Sequence, residues 1–179
     1  MQLKTRGQLG AALKSLGLNG YGVELGVADG WFSNQILLTS DLKTLFSVDP
    51  WSQTDKHECH LSSSDLYQVT VDTLRPYGHR SQIMKMYSYD AVDIFKDEFF
   101  DFIYIDACHT EDDCYQDMVQ WFPKLKYGGI FAGHDYCDFH AGVVAAVDRF
   151  MVERQLSFST TELDFKYLGH DIRSWYIVK

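Results

Sequence analysis

The chain has 179 residues, 46% of them hydrophobic, and its 16 Lys and Arg against 25 Asp and Glu give a formal net charge of −9. That length can bury one sizeable core, so a single domain is the expectation. The acidic balance, with no dense Lys/Arg run, argues against a nucleic-acid partner and favours a small-molecule substrate. No stretch approaches the roughly 18 apolar residues that span a bilayer, and "MQLKTRGQLGAALKSLG" lacks a signal-like apolar run, so a soluble, cytoplasmic setting without a membrane partner is expected.

In chain order, residues 1–19 carry a first helix, "TRGQLGAALKSLG", with Leu9, Ala12, Leu13 and Leu16 on one face, and a core domain follows over 20–179. "YGVELG" reads as a buried strand, "GWFSNQILLTS" as a helix and "TLFSVD" as a second strand. "SSSDLYQVTVDTLRPYG" is a serine-capped helix, "SQIMKMY" a third strand and "YDAVDIF" a short helix. "FFDFIYID" is a fourth strand, apolar nearly throughout, as expected when both sheet faces are covered. "EDDCYQDMVQWFPKL" is a helix with an acidic first turn that suits its dipole. "GGIFAGHDY" follows as a fifth strand, then the helix "AGVVAAVDRFMVERQ". "LSFSTTEL" and "SWYIVK" close the chain as two strands without a helix between them, joined by the turn-rich "DFKYLGHDIR". Strand–helix alternation implies right-handed crossovers. The predicted fold is therefore an α/β, doubly wound, mostly parallel sheet of seven strands, with helices on both faces and a C-terminal antiparallel hairpin. Ligands of such sheets bind beyond the carboxyl ends of the strands, where strand order reverses.

Four cysteines, Cys59, Cys108, Cys114 and Cys137, read as reduced thiols; "HECH" at 57–60 is not a helical HExxH, and no CxxC pair is present, so zinc is not expected on these groups. The segment "VELGVADGWFS" is more informative. Gly26 and Gly30 bracket a tight turn between the first strand and the next helix. A dinucleotide fingerprint beginning at Gly26 would require glycine at Ala28 and a small residue at Trp31, which disfavours NAD, and the absence of a following Lys-Ser/Thr excludes a phosphate-binding P-loop.

The pattern E-x-G-x-x-x-G, followed by Asp49 at the end of the second strand, resembles the class I S-adenosylmethionine-dependent methyltransferases. The block "DFIYIDACHTEDDCYQDMVQWFPKLKYGGIFAGHDY" at 101–136 is similar to the family 24 type of methyltransferase domain, with I-D-x-x-H ending strand four, W-x-P-x-L-K-x-G-G, and G-H-D ending strand five. The resemblance spans roughly residues 20–178 and implies transfer of a methyl group to a small molecule, most often at a hydroxyl oxygen. It also implies the placement of the cofactor. Glu24 and the Gly26–Gly30 turn, with Ala28, Phe32 and Ser33, would hold the methionine end. Asp49 and the nearby Trp51 would serve the ribose, Ser88 and Tyr89 the adenine, and Asp106 would face both the cofactor and a metal ion.

Transfer to oxygen needs alignment and deprotonation of the acceptor. The resemblance leaves two routes open. In one, Asp106, His134 and Asp135 hold a divalent ion, Mg²⁺ or Mn²⁺ by the oxygen-rich donor set. In the other, His109 or His134 is the general base, with Asp135 as its orienter. His134 departs from the pattern of related metal-dependent O-methyltransferases, which usually carry a carboxylate there, and this keeps alive a catalytically inactive or regulatory S-adenosylmethionine-binding protein. Residues 50–61 and 135–141, with Trp51, His57, Tyr136 and His140, are expected at the pocket mouth. His109 has a second reading as the cap of the helix beginning at Glu111. The short first helix provides no large lid, which raises closure by a neighbouring subunit in a homo-oligomer as an expectation.

Overall fold

The computed structural model describes residues 2–52 and 63–179. Its elements follow the apolar patterning. Helix α1 is Leu9–Ser15, strand β1 Tyr21–Leu25, helix α2 Trp31–Thr39, strand β2 Thr44–Asp49, helix α3 Ser63–Leu74, strand β3 Ser81–Lys85 and helix α4 Ser88–Ala91. Strand β4 is Phe100–Ile105, helix α5 Glu111–Trp121, strand β5 Leu125–Gly133 and helix α6 Ala141–Glu153. Four short strands close the chain: β6 Ser159–Thr160, β7 Phe165–Tyr167, β8 His170–Ile172 and β9 Trp175–Val178.

The main sheet has seven strands in the order β3-β2-β1-β4-β5-β9-β6. The first five are parallel, and β9 runs antiparallel to both β5 and β6. Strand order reverses between β1 and β4, so the crevice expected for a ligand opens above their carboxyl ends. Along β4, alternate side chains feed two cores. Ile103 and Ile105 pack with Trp121 of α5 and with Val147 and Phe150 of α6. Phe102 and Tyr104 pack on the opposite face with Leu9 and Leu13 of α1 and Ile36 of α2. All six β4 residues are buried, which accounts for a run that is apolar except for Asp101.

The doubly wound sheet is the expected architecture, with local differences. Leu16 does not join the α1 core face: α1 ends at Ser15, and Leu16 is 51% exposed. The connector "DFKYLGHDIR" contains its own antiparallel hairpin, β7–β8, outside the main sheet. Finally, β6 is only two residues long, pairing Ser159 with Tyr176 and Thr160 with Trp175 of β9. Among the described residues no helix is long and apolar enough to cross a membrane.

Candidate active site

The turn after β1 packs directly on the chain leaving β4. Gly26 has φ +81°, and a Cβ there would lie 2.0 Å from the Asp106 carbonyl oxygen, so only glycine is accommodated. Its N–H donates to the Val48 carbonyl at 2.9 Å, and the Asp106 N–H donates to Leu25 at 2.7 Å. Asp49 locks the turn from β2. One of its carboxylate oxygens accepts the N–H groups of Val27 and Ala28, at 2.8 and 3.1 Å, and the other accepts the Trp51 N–H at 2.7 Å. The Trp51 indole donates to the Ala28 carbonyl at 2.8 Å, as does the Thr70 hydroxyl. Val27, Trp51 and Leu66 form a small apolar cluster beneath this turn. Gly30, with φ +80°, then opens α2.

Glu24 and Ser33 lie below the turn, both buried, with the Ser33 hydroxyl donating to the Glu24 carboxylate and lying 2.7 Å from the Ser47 hydroxyl. Burial pushes the Glu24 carboxyl well above the usual carboxylate range, against the opposing effect of the Ser33 hydrogen bond. Phe32 is also buried, its ring 4.1 Å from that of Tyr104. On the adenine side of the expected pocket, the Ser88 hydroxyl donates to Asp117 of α5 at 2.6 Å. Tyr89 is exposed and stacks on Tyr87 at 5.0 Å, and the Tyr87 hydroxyl lies 3.4 Å from that of Ser52, beside Trp51. His57 lies outside the described residues.

The ends of β4 and β5 bring together the acids and imidazoles that the sequence singles out. His134 is buried, and its Nδ1 is 3.0 Å from Asp135 Oδ1 and 3.7 Å from Asp106 Oδ1. His109 approaches the other Asp135 oxygen, Nε2 to Oδ2 at 3.0 Å, and His140 Nε2 is 3.7 Å from Oδ1. Asp135 is thus the hub of three histidines, held with φ +58°. Burial alone would raise its carboxyl; the hydrogen bonds and charges of His109 and His134 outweigh it and hold the group well below the usual range. Asp106 moves the other way, pushed up by burial and by Asp135 against the counteracting His134 and Arg6. His109 does not cap α5; that position belongs to Thr110, whose hydroxyl accepts the Asp113 N–H at 3.2 Å. Tyr136 turns away from the cluster, its hydroxyl donating to Asp148 of α6 at 2.8 Å. Among the described residues, the potential ligand atoms of Asp106, His134 and Asp135 lie within 4.8 Å of one another, and so do those of His109, Asp135 and His140. Cys108, Cys114 and Cys137 are free thiols.

Two contributors carried no local sequence signal. Arg6, just before α1, places Nη1 3.0 Å from Asp106 Oδ2 and lies over the rings of Trp31 and Phe32, at 5.1 and 5.2 Å to their centroids. Asp164, just before β7, accepts the Arg6 backbone N–H, and its Oδ2 is 3.7 Å from His134 Nε2, a buried nitrogen with no hydrogen-bond partner. Phe165 stacks on the His134 ring at 5.6 Å. Only the three-dimensional proximity of the chain's N-terminal segment to the β7–β8 hairpin brings these groups to the site.

A family model described as a methyltransferase domain matches residues 23–136. A curated relative, the uncharacterized protein y4gI of Sinorhizobium fredii, is 30% identical over 102 residues, covering 56% of this chain; the chain spans only 11% of that protein. Among solved structures, an O-methyltransferase from Bacillus cereus, in complex with SAH, superposes with a TM-score of 0.72 at 14% identity, over 97% of this chain and 80% of that one. The O-methyltransferase TomG from Streptomyces achromogenes, in complex with SAM and involved in tomaymycin synthesis, gives 0.66 at 15% identity, over 97% and 79%. Spermidine synthase from Thermotoga maritima gives 0.61 at 15% identity, over 96% and 60%. At these identities the structural likenesses establish the shared fold.

Proposed function

Starting from the fact that the chain belongs to the methyltransferase-domain family, whose model matches residues 23–136, we propose that it transfers a methyl group from S-adenosylmethionine to a hydroxyl oxygen of a small molecule. The observation that carries this reading is the direct bonding of the Gly26–Gly30 turn to Asp49, at the end of β2, and its close packing on the Asp106 carbonyl, just after β4, where the Asp106 N–H donates to Leu25. The residues gathered there suit a cofactor that is cationic at one end and hydroxylated in the middle. Asp49 and Trp51 would line the ribose, Tyr89 with Tyr87 the adenine, and Asp106 with Ala28 the methionine end; Glu24, Phe32, Ser33 and Ser88 would act from beneath by fixing the turn and the start of α4. The bound cofactor supplies a methyl group already activated on a sulfonium, so the chain has to orient the acceptor and take its proton.

His109 supports the histidine route to deprotonation. It is 44% exposed at the mouth of the cluster, while its Nε2 is held by Asp135 at 3.0 Å. A carboxylate that fixes an imidazole orients the ring and stabilises the imidazolium that forms when the ring takes up a proton. A second reading rests on Asp106, His134 and Asp135, which as a set of two carboxylates and one imidazole would hold Mg²⁺ or Mn²⁺ and lower the pKa of a bound hydroxyl. Arg6 already neutralises Asp106 at 3.0 Å, which favours the histidine route.

Calorimetric titration with S-adenosylmethionine and its demethylated product tests the cofactor reading: the parent protein binds both, and Asp49→Ala weakens both by about tenfold or more. Absence of binding by the parent would refute the proposal. Turnover on a panel of catechols and sugars then separates the two routes. Activity that survives EDTA and disappears in His109→Ala supports the base, and activity abolished by EDTA supports the ion. A protein that binds the cofactor and methylates nothing in any panel would instead fit a regulatory role.

A further inference from the structure

We infer that Arg6, through its guanidinium, is the group that binds the α-carboxylate of the methionine end of the cofactor, with Asp106 beside it for the α-ammonium. The inference deepens the cofactor reading above and rests on it. Arg6 lies outside the family-matched segment, which begins at residue 23, yet its side chain is only 15% exposed. Taking a guanidinium that far out of water is costly unless it is paired and its donors are used. Its placement is built from several directions. The Asp164 carboxylate accepts its backbone N–H, the Trp31 and Phe32 rings underlie its guanidinium at 5.1 and 5.2 Å, and Tyr104 bonds it from β4. Trp31 and Phe32 are the first two residues of α2, immediately after the Gly26–Gly30 turn, so the guanidinium stands at the end of the crevice where the methionine portion would lie.

The charge arrangement matches an amino-acid zwitterion. Arg6 Nη1 and Asp106 Oδ2 are 3.0 Å apart, presenting one positive and one negative group side by side, as an α-carboxylate and α-ammonium require in mirror order. The guanidinium has five N–H donors in a planar fork that meets a carboxylate through two parallel hydrogen bonds, and Asp106 Oδ2 and the Tyr104 hydroxyl take only two of the five. Glu24, the other acid near this end, is buried with its carboxyl hydrogen-bonded by Ser33, which leaves Asp106 as the acid placed for the ammonium.

Calorimetry with S-adenosylmethionine and with decarboxylated S-adenosylmethionine, which differs only in lacking the carboxylate, isolates the contact. The parent is expected to bind both; Arg6→Ala is expected to lose about ten- to a hundredfold in affinity for S-adenosylmethionine and less than about threefold for the decarboxylated ligand. Retained binding of the decarboxylated ligand reports an intact pocket in the same variant, and Arg6→Gln, which keeps the length and loses the charge, is measured in the same way if Arg6→Ala does not fold. Equal losses for the two ligands, or no loss for S-adenosylmethionine, would overturn the assignment while leaving the cofactor reading in place. Binding of neither ligand by the parent would overturn both.

Discussion

Asp117 lies on the inner face of α5, 6% exposed, where it accepts the Ser88 hydroxyl; burial pushes its carboxyl up to about 6, Asp113 adding to the effect and Ser88 opposing it. Because the folded value exceeds the ordinary 3.8, the native state holds this proton more tightly than the unfolded chain. The contribution to stability is therefore complete below about 4 and is lost as pH rises through about 6. A gap of that size corresponds to about 3 kcal/mol. Asp117→Asn, which keeps an acceptor for Ser88 without the charge, is expected to stabilise the protein at neutral pH by an amount approaching that figure and to flatten urea midpoints between about pH 4 and 7. An unchanged pH slope in the variant would show that Asp117 is not the group responsible. At this scale the sequence exposed the acids through their position at strand ends, as with Asp49 and Asp106, because strand ends are read from apolar runs. It did not expose Arg6, since a lone arginine before a short helix looks the same whether it faces solvent or a crevice formed from residues a hundred positions away.

Beyond single residues, the N-terminal segment and the β7–β8 hairpin act together. Glu162 and Leu163 donate their N–H groups to Leu3 and Lys4, each at 3.1 Å, and Asp164 accepts both the Arg6 N–H and, at 2.7 Å, the Ser174 hydroxyl. Asp164 thereby ties three parts of the chain at one almost fully buried carboxylate, its side chain 1% exposed. Asp164→Ala removes the acceptor of the part-buried Arg6 N–H and one of the two partners of the Ser174 hydroxyl, the other being Tyr104, and is expected to cost about 1–3 kcal/mol of stability in denaturant unfolding. Lys14→Ala, which removes an ion pair between side chains that are 60% and 56% exposed, should change stability by less than about 0.5 kcal/mol and serves as the comparison. Comparable losses in the two variants would mean that the tie is not structural. The alternating strands and helices of this fold were legible because each carries its own period. The hairpin was not, because its turn, Leu168–Gly169, has φ +47° and +87°, and leucine is a poor signal for a position usually given to asparagine or glycine. The extended β5 escaped for a related reason: its register shift against β4, between Phe100 and Phe102, carries the strand back across Gly128 and Gly129 to Leu125, and glycine pairs ordinarily mark a break.

Across the whole molecule, the two cores share a single sheet, and the crevice sits on the edge where both end. Ile103 and Ile105 of β4 belong to one core, Phe102 and Tyr104 to the other, so neither core can open without loosening the strand that carries Asp106. Arg6 and the segment leading into the β7–β8 hairpin meet at the same place, through Asp164. Unfolding should therefore be a single cooperative transition that dismantles the cofactor site with everything else, and a ligand binding only the folded form stabilises the entire chain. At a concentration a hundred times its dissociation constant, the demethylated cofactor should contribute about 2.7 kcal/mol, which for a domain of this size corresponds to a rise in melting temperature of roughly 5–10 °C. Differential scanning calorimetry with and without the ligand measures this directly. One transition that moves as a unit is the expected result. Two transitions, of which only one responds to ligand, would mean that the sheet does not couple its two faces, and that the site is built on a part of the molecule able to melt independently.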